Sequence, residues 1–88
     1  MEIWLYDQNT NERDTLDIKG DSITFGRAAE CDVVLKGAFV AKKHARLFRK
    51  GNQFFVENLS RSSLRVANRD VLAGQQARCD FADEIQIA

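Results

Sequence analysis

The sequence predicts an all-β protein, an antiparallel β-sandwich of about ten short strands with its binding loops gathered at one end. Three observations point there. Apolar residues recur with the two-residue period of strands, clusters of turn-forming residues break the chain at short intervals, and no stretch carries a convincing helical face. In order along the chain, "EIWLY" (2–6) sets Ile3 and Leu5 against Trp4 and Tyr6, and "DQNTN" (7–11) reads as a turn. "TLDIK" (15–19) places Leu16 and Ile18 on one face before a second turn, "KGD" (19–21). "SITFG" (22–26) and "DVVLK" (32–36) are β-branched and apolar, and "AECD" (29–32) between them supports at most a helical turn. "HARLFRK" (44–50) and "QFFVEN" (53–58) flank "KGN" (50–52), the pattern of a hairpin. "SLRVA" (63–67) and "EIQIA" (84–88) follow, with turns expected at "ANRD" (67–70) and "AGQQ" (73–76).

A chain of 88 residues is one domain with a modest core, and 44% hydrophobic with 30% charged residues is the composition of a soluble globular protein. No apolar run approaches the roughly 18 residues of a membrane span. Glu2 stands where a secretory signal would carry basic residues, so a cytoplasmic location is expected. Cys31 and Cys79 have no C-x-x-C or His-containing spacing and read as two buried, reduced thiols rather than a disulfide or metal site. No G-x-S-x-G, H-E-x-x-H or G-x-x-x-x-G-K-[ST] pattern occurs, so neither an enzyme, a cofactor nor a small-molecule substrate is expected.

The formal charges cancel, but they are segregated. Residues 1–40 hold four basic and eight acidic side chains, a net −4; residues 41–69 hold eight basic side chains against Glu57 alone, a net +7; the tail holds one against four, a net −3. A basic middle third in a neutral chain suggests a local anionic partner more than general affinity for nucleic acid or membrane.

Three stretches are candidates for holding an anion. In "TFGR" (24–27), Gly26 permits a turn at a strand end and Arg27 projects from it, suited to forked bonding with phosphate or carboxylate. "AKKHARL" (41–47) brings Lys42 and Lys43 beside His44, the only histidine, which is suited to holding the loop by hydrogen bonds to backbone. Adjacent side chains face different ways, so one lysine at most is expected to reach a ligand. "ENLSRSSLRVANR" (57–69) places three hydroxyls and Arg61 in one loop.

The order of these stretches, "ITFGRAAECDVVL", "KKHARL", "ENLS" and "VANRDVL", resembles the forkhead-associated (FHA) domain, a phosphothreonine-binding β-sandwich. The resemblance runs from about Ile23 to Ile87, with Gly26, Arg27, Asp32, His44, Leu59 and Asn68 on matching positions. It implies a non-catalytic protein–protein interaction module that recognises a phosphothreonine-containing peptide. Arg27 is then the central phosphate ligand and Ser62 a hydroxyl donor. Ser63 stands where the family's asparagine grips the peptide backbone, and Gly26, His44 and Asn68 shape the loops. The serine that precedes the family's histidine is replaced by Ala41, and Lys42 next to it offers a substitute charge; Leu64 stands in place of a glycine. A hydrogen bond to a charged group contributes roughly 1.5–3 kcal/mol. Loss of the serine and asparagine donors therefore weakens a micromolar site toward millimolar, by roughly 3 kcal/mol or more.

A second reading is a phospho-independent FHA scaffold, for example one attached to secretion machinery or an ATPase. A third is weak nucleic-acid binding through Arg46, Arg49 and Lys50 with an aromatic such as Phe54. The resemblance also implies one more strand after "EIQIA", lying beside "EIWLY". A chain ending at Ala88 is thus expected to be the N-terminal module of a longer signalling protein, or to self-associate through the open sheet edge.

Overall fold

In a computed structural model, residues 2–7, 12–17, 20–35, 40–62, 64–80 and 83–87 are described. Of the residues named above, residues 8–11 of the expected "DQNTN" turn, Ile18, Lys19, Lys36, Ser63 and Ala88 lie outside the described residues. Ten strands follow one another: β1 (Glu2–Asp7), β2 (Glu12–Asp17), β3 (Ser22–Gly26), β4 (Val33–Val34), β5 (Ala45–Lys50), β6 (Gln53–Asn58), β7 (Leu64–Val66), β8 (Arg69–Val71), β9 (Gln76–Cys79) and β10 (Glu84–Ile87). They form two five-stranded sheets, ordered β2-β1-β10-β7-β8 and β4-β3-β5-β6-β9.

Alternation along the strands builds the core. In β3, Ile23 and Phe25 are buried while Ser22 is exposed; in β5, Ala45 and Leu47 are buried; in β6, Val56 is. These pack against Leu64, Val66, Val71 and Ile85 from the other sheet, with Val40 and Cys79 completing the cluster. Among the described residues no helix is long and apolar enough to cross a membrane.

The sheets are mixed rather than wholly antiparallel. β1 runs parallel to β10 and β3 parallel to β4, while the other neighbours are antiparallel. Alternation reports which face a residue takes, not the direction of its neighbour strand. β1 is bonded on both sides, with Trp4–Asp7 opposite Glu84–Ile87 and Glu2–Asp7 opposite Glu12–Asp17. The edge expected along "EIWLY" is therefore filled by β10, and the sheet ends instead at β2 and β8. The expected "DVVLK" strand contracts to two residues, and "AECD" makes a turn closed by the Cys31 N–H donating to the Ala28 carbonyl, 3.1 Å. β8 and β9 occupy stretches that read in part as turns.

The β7–β8 connection is a two-residue hairpin in which Val66 faces Arg69. Both central residues are left-handed, Ala67 at φ 51° and Asn68 at φ 65°. Asparagine tolerates this conformation, whereas at alanine it costs about 1–2 kcal/mol. Glycine would remove that strain at an entropic cost of roughly 0.5–1 kcal/mol. Ala67→Gly is therefore expected to raise stability by about 0.5–1 kcal/mol, read as a higher urea midpoint at unchanged slope. A lower midpoint would contradict the strain assigned to Ala67.

Both cysteines are free and buried. Burial, reinforced by Asp83 and Asp80 and opposed by Arg69, pushes the Cys79 thiol up to about 12, so it stays protonated and unreactive at neutral pH. The Cys31 Sγ donates to the Lys42 carbonyl at 3.3 Å.

Candidate functional site

The site begins with a close approach of two backbone segments. Where β3 ends, the Arg27 N–H donates to the Ala41 carbonyl at 2.9 Å and the Ala28 N–H to the Lys42 carbonyl at 3.1 Å, while the His44 N–H donates back to the Phe25 carbonyl at 3.0 Å. Residues 25–28 and 41–44 are thereby zipped together. A Cβ at position 26 would collide with the Lys42 carbonyl oxygen and stand 2.9 Å from the His44 nitrogen, so only glycine fits. On the other side Asp32 fastens the returning chain, its Oδ2 accepting from the Thr24 N–H at 2.9 Å and the Thr24 hydroxyl at 3.1 Å.

His44 lies fully buried beneath this zipper. Its Nδ1 accepts the Ala41 N–H at 3.1 Å, and its carbonyl accepts the Leu59 N–H at 3.0 Å, which joins the 41–44 segment to the next loop. The histidine thus acts on the site from below, through backbone.

The 59–62 loop is shaped by a residue that the sequence reading passed over. Asn58 is fully buried, and its Nδ2 donates to the Ser62 carbonyl at 2.6 Å and the Val71 carbonyl at 2.9 Å. Its Oδ1 accepts the Ser60 N–H at 2.9 Å and the Ser60 hydroxyl at 2.7 Å. Ser60, itself buried, is also 3.0 Å from the Ser62 carbonyl through the same hydroxyl. The only linear signal was an asparagine ending a strand immediately before a serine-rich loop, a position suited to side-chain–backbone bonding.

Above these two anchored loops lies an open depression of about 380 Å³ lined by Arg27, Val40, Ala41, Leu59, Ser60, Arg61 and Ser62. Of the predicted ligand residues, Arg27, Arg61 and Ser62 come together there, all exposed. Lys42 is exposed beside the depression but not in its lining; its carbonyl is taken up by the zipper. Gly26 and His44 lie underneath, and Asn68 sits in the β7–β8 turn and is not among the lining residues.

The charges sort in the same way. Arg46 pairs with Glu57 at 3.2 Å, Arg49 with Asp21 at 3.6 Å, Arg65 with Asp70 at 3.2 Å and Arg78 with Asp80 at 3.0 Å. Among the described residues Arg27, Lys42, Lys43 and Arg61 make no ion pair. Lys50 at the end of β5 and Arg69 in β8 are likewise without an ion pair among the described residues, so the uncompensated positive charge of the middle third is shared between these positions and the loops that carry Lys42, Lys43 and Arg61. The surface a nucleic acid would need is divided: Phe54 packs against the core, while Phe55 stacks on Phe48 at 5.8 Å and Arg46 lies 4.5 Å over the Phe48 ring.

Loops of a β-sandwich held together around unpaired arginines define an interaction domain. The chain belongs to the FHA family, whose model matches residues 23–88. Its fold is similar to that of EmbR from Mycobacterium tuberculosis, solved with a low-affinity phosphopeptide, with a TM-score of 0.74 and 22% identity over 97% of this chain and 22% of that one. It is similar to the N-terminal FHA domain of Rad53 from S. cerevisiae, solved with a phosphothreonine peptide, with a TM-score of 0.76 and 18% identity over 90% and 76% of the two chains. It is also similar to the Slr1951 protein from Synechocystis sp., with a TM-score of 0.69 and 24% identity over 96% and 81%. The chain thus spans about a fifth of the length of EmbR. No curated protein matches the chain by sequence.

Proposed function

We propose that this domain is a non-catalytic interaction module that recognises a phosphothreonine-containing peptide of a partner protein in the depression between the 41–44 and 59–62 loops. The observation that carries this reading is the convergence of unpaired Arg27 and Arg61 with Ser62 around one hollow, while Arg46, Arg49, Arg65 and Arg78 on the strands are paired with acidic neighbours. The two guanidiniums offer forked donors to a phosphate, the Ser62 hydroxyl adds a third, and Lys42 at the side adds attraction without fixed geometry. Two free thiols favour a reducing, cytoplasmic setting.

The test is titration with a phosphothreonine peptide library and matched unphosphorylated peptides. Arg27→Ala is expected to remove roughly 1.5–3 kcal/mol, a loss of about 10- to 150-fold. Ala41→Ser, which adds a hydroxyl to the lining, is expected to tighten binding. Affinity independent of both phosphate and Arg27 would sink the proposal and leave the phospho-independent scaffold. One observation favours that second reading: Ala41 brings only a methyl group to the lining, and its carbonyl is already engaged by the Arg27 N–H.

A further inference from the structure

The two described serines of the 59–62 loop have opposite roles. Ser60 is buried and its hydroxyl is engaged by Asn58 and the Ser62 carbonyl. Ser62 is exposed, and its hydroxyl makes no hydrogen bond among the described residues, although its backbone is held at both ends: its N–H donates to the Ser60 hydroxyl at 3.3 Å, and its carbonyl accepts from Asn58 at 2.6 Å. A free hydroxyl is thus carried by a tethered backbone into a hollow that also holds two unpaired guanidiniums, Arg27 and Arg61.

We propose that Ser62 is a phosphorylation site, and that a phosphate on its Oγ occupies the depression itself, pairing with Arg27 and Arg61 and closing it to an external ligand. The inference rests on the reading of this depression as a phosphate site. The transfer comes from a nucleoside triphosphate in a serine kinase. The Oγ–P bond forms as the bond from the γ-phosphorus to its bridging oxygen breaks. Nucleoside diphosphate leaves, and the hydroxyl proton passes to the base of the kinase. The product carries close to two negative charges and three acceptor oxygens beside two cations that had no partner. Because the phosphate is covalently held, it competes as an intramolecular ligand, and an external phosphopeptide must displace it. Ser60 is not an alternative acceptor, since its hydroxyl is buried and already bonded on both sides.

The experiment installs phosphoserine at position 62 of the full chain and follows it by phosphorus NMR across pH, with and without Arg27→Ala. An isolated phosphoserine titrates near pH 6, and nearby guanidiniums favour its dianion. The expected result is a titration midpoint below that of a free phosphoserine peptide, returning upward in Arg27→Ala. Binding of the peptide used above is expected to fall about tenfold or more on phosphorylation. A phosphoserine that titrates as in the free peptide and is indifferent to Arg27→Ala would overturn the proposal. So would unaltered peptide affinity. The resonance is read without any peptide, so a chain that binds no phosphothreonine peptide but still shifts its own phosphate would refute the proposed partner and leave this inference standing.

Discussion

Gly26→Ala is expected to destabilise the domain by about 3 kcal/mol and to abolish the loop site even in molecules that remain folded. The added methyl would meet backbone, not the yielding end of a side chain: the Lys42 carbonyl on one side and the His44 nitrogen at 2.9 Å on the other. Relief therefore requires the two segments to part. That would stretch the bonds from Arg27 to Ala41 and from Ala28 to Lys42, which set where Arg27 stands. For a domain of this size the loss corresponds to a fall of roughly 12–24 °C in melting temperature. Thermal unfolding followed by circular dichroism measures it. A change of less than about 0.5 kcal/mol would show that the close approach is not maintained in solution.

Asn58→Ala carries the second large effect. The substitution removes the donors to the buried Val71 carbonyl and the part-buried Ser62 carbonyl, and an acceptor from the Ser60 N–H and hydroxyl. Each buried polar group left unsatisfied costs about 1–3 kcal/mol, and partial access of water to the loop keeps the sum near 3–4 kcal/mol. Asn58→Asp is an informative companion because it keeps the acceptor but turns a carboxylate oxygen toward the carbonyls of Ser62 and Val71. It is expected to be at least as damaging. Urea denaturation gives the stability. Hydrogen exchange at the amides of Ser60 and Ser62 gives the loop, where protection is expected to collapse before that of β5 and β6. Unchanged protection at those two amides would remove Asn58 from its assigned role.

The sequence revealed the frame more readily than the site, and particular residues show why. "SITFG" and "QFFVEN" coincide with strands because their alternation is itself the physical cause of one buried face. "RDV" and "QARC" lack the β-branched and aromatic run that marks a strand. They are extended because β7 and β6 supply partners, which is information held elsewhere in the chain. Gly26, Arg27 and His44 were legible through their order along the chain. Asn58 was not, since one of its carbonyl partners belongs to Val71 on a different sheet. The basic middle third was visible as a sum, but which charges remain unpaired depends on cross-strand neighbours such as Arg46 and Glu57.

The separation between what holds the loops and what lines the hollow has an evolutionary consequence. Gly26, His44, Asn58 and Ser60 fix the backbone from within, whereas Arg27, Arg61 and Ser62 contribute exposed side chains that no neighbour in the fold requires. Substitutions at the exposed positions change the chemistry of the hollow at little risk to folding, so the lining can vary while the frame is kept. Ala41 illustrates the point: the zipper uses only its backbone, so a side chain with or without a hydroxyl is accommodated here without disturbing the loop that presents it.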